Sequence, residues 1–206
     1  MKVAIVAFRA GRSSRTIPRM STANIERAFA STRSVLANVT TDHLSDPTPC
    51  QSWQVRELIN HIIGVSFWFA EATNAGVAPP PPETDFTTGD MVGTYTDGIA
   101  RSVDAFGRPG ALEKMITLPF GTIPGAMYLG IATTDAFTHG WDLARATGQS
   151  TDLDPDLAAE LLEGARIFIQ PAFRGADGER PFGLEQSPPS GATNADALAA
   201  FLGREV

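Results

Sequence analysis

Apolar residues return every three or four positions along most of the chain after residue 21, the period of a helix with one buried face. Ile25, Phe29, Thr32, Leu36 and Val39 carry that stripe through a first predicted helix at 22–39. A second, at 52–73, opens on Ser52 as its N-cap and buries Val55, Leu58, Ile62, Val65 and Phe69. Pro47 and Pro49 interrupt the segment between them. The run Gly76-Val-Ala-Pro-Pro-Pro-Pro82 then reads as a stiff extended linker. A third helix is predicted from about Thr88 to residue 107, with Val92, Tyr95, Ile99, Val103 and Phe106 on its buried side.

The rhythm breaks at Met115–Phe120, a short, partly β-branched stretch closed by Pro119 and Gly121, which reads as extended. A fourth helix is predicted over 124–147, stopped by Gly148. Asp154-Pro155 is an N-cap followed by a first-turn proline and opens a fifth helix, 155–173. Arg174 to Gly191 is rich in glycine and proline and reads as a loop. Thr193 or Asn194 caps a short last helix holding Leu198, Phe201 and Leu202. Long amphipathic helices with few strand signals predict an all-α fold: a four-helix bundle with one additional packed helix and a short C-terminal helix.

Length and charge narrow this picture. The 206 residues suit a single domain, and no apolar run approaches the ~20 residues of a membrane span. Residues 1–19 hold five basic side chains and no acid, so the rest is more acidic than the net charge of −7 suggests. That balance argues against nucleic acid as a partner. The basic leader lies before the helical pattern and reads as a disordered or mis-called extension, with Met20 as the natural start and 20–206 as the domain. An arginine- and serine-containing leader without acids also has the composition of a transit peptide, the less favoured reading. The chain has one cysteine, which excludes an intrachain disulfide and four-thiolate zinc sites.

The candidate chemistry lies on three histidines. His43 falls in a connection and reads as an exposed loop residue. His61 borders the apolar stripe of the second helix, with Glu57 one turn before it at i−4. Asp135 and His139 stand at i and i+4 on the fourth helix, so both project from one face. Such pairs are common on solvated faces. Together with an inward His61, however, they offer two nitrogens and one carboxylate, the three-ligand set of a catalytic zinc that keeps a fourth place open. Asp142, three residues beyond His139, is placed to orient its ring or to pair with Arg145. Arg56 and Arg145 are candidates for holding an anionic substrate or thiol cofactor; otherwise they are surface ion pairs. Cys50 offers a nucleophile near a helix start, against the plainer reading of a packing residue. Trp53, Phe137 and Trp141 read as core. Leu58, Val65, Phe137 and Thr138 are expected to line an apolar cavity beside the site.

Two blocks carry a resemblance. Pro47-Thr-Pro-Cys-Gln-Ser-Trp53-Gln-Val-Arg56-Glu-Leu-Ile-Asn60-His61 resembles the second-helix signature of the DinB/YfiT-like metal-binding bundles. Leu118-Pro-Phe-Gly121-Thr-Ile-Pro124-Gly, continuing through His139-Gly-Trp141-Asp142-Leu-Ala-Arg145-Ala-Thr-Gly148-Gln149, resembles the same family. The ending Ala199-Ala-Phe-Leu-Gly203-Arg204 is also similar. The likeness is to the actinobacterial branch that includes the N-terminal domain of mycothiol-dependent maleylpyruvate isomerase, and it covers roughly Met20 to Val206.

The resemblance implies a DinB/YfiT-like four-helix bundle with one divalent ion, usually zinc, on His61, Asp135 and His139, with mycothiol as co-substrate. Relatives commonly carry glutamate or histidine where this chain has Asp135, and aspartate reaches one methylene less far. The maleylpyruvate isomerase carries a separate C-terminal domain, whereas one helix, a loop and a short helix are expected after Gly148 in this sequence, so that substrate is not implied. The expected function is a thiol-dependent transferase or isomerase acting on a small electrophile in the cytoplasm. The alternatives are a metal-dependent hydrolase of a small amide or thiol conjugate, and a non-enzymatic metal-binding or sensor module. The expected partners are a small-molecule substrate and a thiol, not nucleic acid or a membrane; a homodimer is left open.

Overall fold

Four long helices supply most of the structure, a computed structural model that describes residues 21–176 and 179–206. They are α1 (Thr22–Leu36), α2 (Val55–Ala75), α3 (Met91–Gly107) and α4 (Gly125–Ala146). Each touches two others: α1 lies against α3 and α4, and α2 lies against the same two. The four therefore close around one core, in which Phe29, Tyr95, Phe106, Tyr128, Phe137 and Trp141 are almost wholly buried. Two shorter helices, α5 (Pro155–Phe168) and α6 (Asn194–Phe201), pack on each other and extend the same core with Leu157, Leu161, Leu198 and Phe201. The expectation for residues 1–19 lies outside the described residues. No helix among the described residues is long and apolar enough to cross a membrane.

The helix ends show where pattern reading drifts. α1 stops at Leu36, and Val39 packs from the turn beyond. α2 begins at Val55 rather than Ser52, because Gln54 is the N-cap and Glu57 closes the capping box by accepting from the Gln54 N–H at 3.0 Å. α3 begins at Met91, after Asp90 accepts from the Gly93 N–H; Thr88 belongs to a short 3₁₀ turn before it. Asp154 does cap α5, accepting from the Leu157 N–H with Pro155 in the first turn, and α5 ends at Phe168 rather than 173. His43 is half-buried in a 3₁₀ turn, where its Nδ1 accepts from the Thr40 N–H, so it is not a free loop residue.

The extended stretch before α4 has a partner. β1 (Met115–Leu118) and β2 (Gly121–Pro124) form a two-stranded antiparallel hairpin, with Ile116 opposite Ile123. Pro119-Phe120 is its turn rather than the end of an isolated strand. The all-α expectation is therefore modified to a mostly helical chain with a small sheet.

One close approach positions α4. A Cβ at Gly140 would sit 2.2 Å from Thr32 Oγ1. Without one, α1 comes close enough for the Thr32 hydroxyl to donate to the Ala136 carbonyl at 2.7 Å. That contact lies within one turn of both Asp135 and His139 and fixes the helix face that carries them.

Candidate metal centre

His61 on α2 faces Asp135 and His139 on α4. Asp135 Oδ1 lies 3.4 Å from His61 Nε2 and 3.6 Å from His139 Nε2. The two imidazole rings meet edge to face at 4.6 Å between centroids. One donor atom from each residue falls within 4.8 Å of the others. The shorter aspartate side chain thus still brings one oxygen to both imidazoles. The side chains of His61 and Asp135 are each about a quarter exposed, so the cluster opens to solvent on one side.

Its charges compensate one another within the cluster. Burial opposes ionisation of Asp135, but the facing His61 and His139 outweigh it and hold the carboxyl below its ordinary range. Burial likewise opposes a charged His139, yet Asp135, then Asp142, push its pKa up to about 10. The other oxygen of Asp135, Oδ2, is buried and has no hydrogen-bond partner among the described residues. An orphaned carboxylate oxygen beside two imidazole nitrogens suits a divalent ion with mixed nitrogen and oxygen preference, zinc among them.

A second layer holds His139 from behind. Its Nδ1 lies 3.0 Å from Asp142 Oδ2, and Asp142 is fully buried. The Asp142 carboxylate is shared. Arg204 binds both its oxygens, through Nε to Oδ1 at 3.1 Å and through Nη2 to Oδ2 at 3.0 Å. The Cys50 thiol donates to Oδ2 at 3.3 Å. Burial works against the charge on Asp142, but Arg204 and His139 overcome it and hold its pKa far below the ordinary carboxylate value. Cys50, His139 and Asp142 therefore form a compact group on the far side of the imidazole.

The segment before α2 delivers Cys50 and Trp53. Thr48 Oγ1 donates to the Trp53 carbonyl at 2.9 Å and accepts from the Cys50 N–H at 3.1 Å, curling the loop. Trp53 then lies over both histidines, 4.8 Å from the His61 ring and 5.7 Å from the His139 ring. The aromatic wall is therefore Trp53. Leu58 and Phe137, expected at a cavity, are buried in the core.

The other candidates fall elsewhere. Glu57 is an exposed capping residue rather than a neighbour holding His61. Arg56 bonds Asp85 at 2.9 Å as well as Thr87, on a partly exposed edge of α2. Arg145 is exposed in the last turn of α4, and the arginine that pairs with Asp142 is Arg204. Arg204, Cys50 and Trp53 are the neighbours that helical spacing does not reveal. The signal that could have found them is the pair of quoted blocks together with the Gly203-Arg204 ending, read as one spatial set.

Comparison with known proteins bears on the family and the fold. Residues 25–144 match the model of the mycothiol maleylpyruvate isomerase N-terminal domain. An uncharacterised protein of Mycobacterium tuberculosis strain ATCC 25618 / H37Rv is 42% identical over 193 residues, covering 92% of this chain and 98% of its own length. A protein of strain CDC 1551 / Oshkosh matches equally. The crystal structure of a mycothiol-dependent maleylpyruvate isomerase superposes with a TM-score of 0.53 at 17% identity, over 69% of this chain. That likeness shows a shared fold, and it spans only 65% of the isomerase.

Proposed function

The chain belongs to the mycothiol maleylpyruvate isomerase N-terminal domain family, and from that premise we propose a divalent-metal protein that uses a low-molecular-weight thiol on a small electrophile. The fold is read as a DinB/YfiT-like bundle over 20–206, with His61, Asp135 and His139 as the metal ligands. The observation that carries this reading is the convergence of two Nε2 atoms on Asp135, whose Oδ2 is left without a partner among the described residues. A bound zinc ion would supply Lewis acidity that favours the thiolate form of a thiol, the nucleophilic form.

The chain's own residues prepare that chemistry. Asp135 contributes the anionic donor. Asp142 holds the His139 ring by Nδ1 and so leaves Nε2 aimed at the cluster. Trp53 covers both imidazoles and gives the site an apolar side against which an organic molecule can lie. The thiol is named as mycothiol from family membership; thiol transfer or thiol-assisted isomerisation are the reaction classes that fit.

The test begins with elemental analysis of purified protein beside His61→Ala. One ion per chain in the wild type and loss of it in the variant support the site. Metal-loaded protein is then incubated with thiol and a panel of electrophiles. Thiol-dependent consumption supports the reading, thiol-independent cleavage replaces it with hydrolysis, and inertness leaves a metal-binding module.

A further inference from the structure

The buried group behind His139 contains one residue that no ligand scheme requires. Arg204 lies beyond α6, 62 residues from Asp142, yet its side chain is 14% exposed and its guanidinium spans both carboxylate oxygens. The chain end is held so that it arrives there. Gly203 N–H donates to Ala200 O and Arg204 N–H to Ala199 O, both at 3.0 Å, wrapping the last turn. Gly203 adopts φ +100 and presses on Gly183, where an added Cβ would come 2.5 Å from the Gly183 Cα. Such a tight turn suits only glycine. A surface ion pair would need none of this.

We propose that Arg204 is a positioning residue for the candidate metal centre, fixing the Asp142 carboxylate that in turn fixes His139. A lone carboxylate that accepts from an imidazole can rotate about its side-chain torsions. One clamped at both oxygens by a planar fork cannot, and the fork is what separates arginine from lysine here. With Asp142 locked, the Nδ1 bond sets the ring plane, and Nε2 stays directed at Asp135 and His61. The C-terminal turn thus completes a site whose other parts come from α2, α4 and the loop before α2.

This inference rests on the metal reading for its consequence but not for its geometry, and the experiment separates the two. Zinc affinity is measured by chelator competition for wild type, Arg204→Gln and Arg204→Lys, with circular dichroism to verify folding. In parallel, the His139 Nδ1–H proton is followed by NMR in metal-free protein. We expect Arg204→Gln to weaken zinc about tenfold, the lower end for outer partners of metal ligands. Its Nδ1–H signal should move upfield or vanish through exchange, and Arg204→Lys should fall between. Arg204→Lys keeps the charge, so it decides the matter if Arg204→Gln does not fold. Folded variants with zinc affinity within twofold of wild type and an unaltered Nδ1–H signal overturn the proposal. If wild type takes up no divalent ion, the metal reading fails, and the NMR signal alone decides the positioning role.

Discussion

Two arginine–aspartate joints tie remote parts of this chain together, and they differ in where they stand. Arg27 on α1 grips Asp154 at the start of α5, with Nε 2.9 Å from Oδ2. Arg204 grips Asp142 in the same two-pronged manner. Each aspartate has a second duty: Asp154 caps α5, and Asp142 holds the His139 ring. The first joint is partly solvated, with side-chain exposures of 36% and 22%. The second is at 14% and 0%. A surface pair gains little and is screened by salt. A buried pair has paid desolvation for both charges, so it adds little net stability, yet losing one partner strands the other. The same chemistry therefore serves as a fastener outside and as a constraint on geometry inside.

The sharpest break comes at the buried joint. Asp142→Ala leaves Arg204 charged and enclosed, and unfolding in urea should show a loss of about 3–5 kcal/mol. Replacing both partners, Asp142→Leu with Arg204→Met, should recover most of that stability while zinc binding stays weakened. Recovery of both would mean that the joint shapes nothing beyond itself. At the surface joint Asp154→Ala removes a cap as well as an ion pair and should cost about 1–2 kcal/mol.

Acid should separate Asp154 further. Burial opposes its charge, but its bonds to Arg27 and Leu157 hold its pKa below the ordinary value. A lowered native pKa gives stability that is present above the unfolded value of ~3.9 and lost as pH falls through the native one. Wild type and Asp154→Asn should differ in urea midpoint at pH 7, and the gap should narrow as pH falls below the unfolded value and through the lowered native one; a constant gap would show that the cap and pair do not depend on the charge. The smallest effect is expected of Arg27→Ala, under about 1 kcal/mol and shrinking in 1 M salt. An undiminished loss in salt would move this joint into the buried class.

Much of the fold was legible because local rules agree. The stripe through Ile25, Phe29 and Leu36 marks α1, and Asp154-Pro155 marks the start of α5. The ligand candidates were legible for the same reason: Asp135 and His139 share a face by spacing alone, and His61 borders the stripe of α2. Glu57 was misread because i−4 to His61 and third position of a capping box are the same place in sequence, and the N-cap decides between them. The hairpin was half read, since Pro119 and Gly121 break a strand and turn one equally well. Arg204 was out of reach of spacing, because nothing near residue 204 in sequence announces Asp142; only the ending that resembles the family pointed towards it.

The long-range wiring of the site has a consequence for the order of folding. Its contacts join residues 74 apart at His61–Asp135, 89 apart at Cys50–His139 and 62 apart at Asp142–Arg204. Each closes a large loop, and the entropy of that closure is met only when the flanking helices are already docked. The α2–α3 hairpin needs no such wait, as its helices are near neighbours in the chain. An ion held by the proposed set would meet all three ligands only once α2 is docked on α4. It would then slow escape from the native state more than it seeds arrival at it.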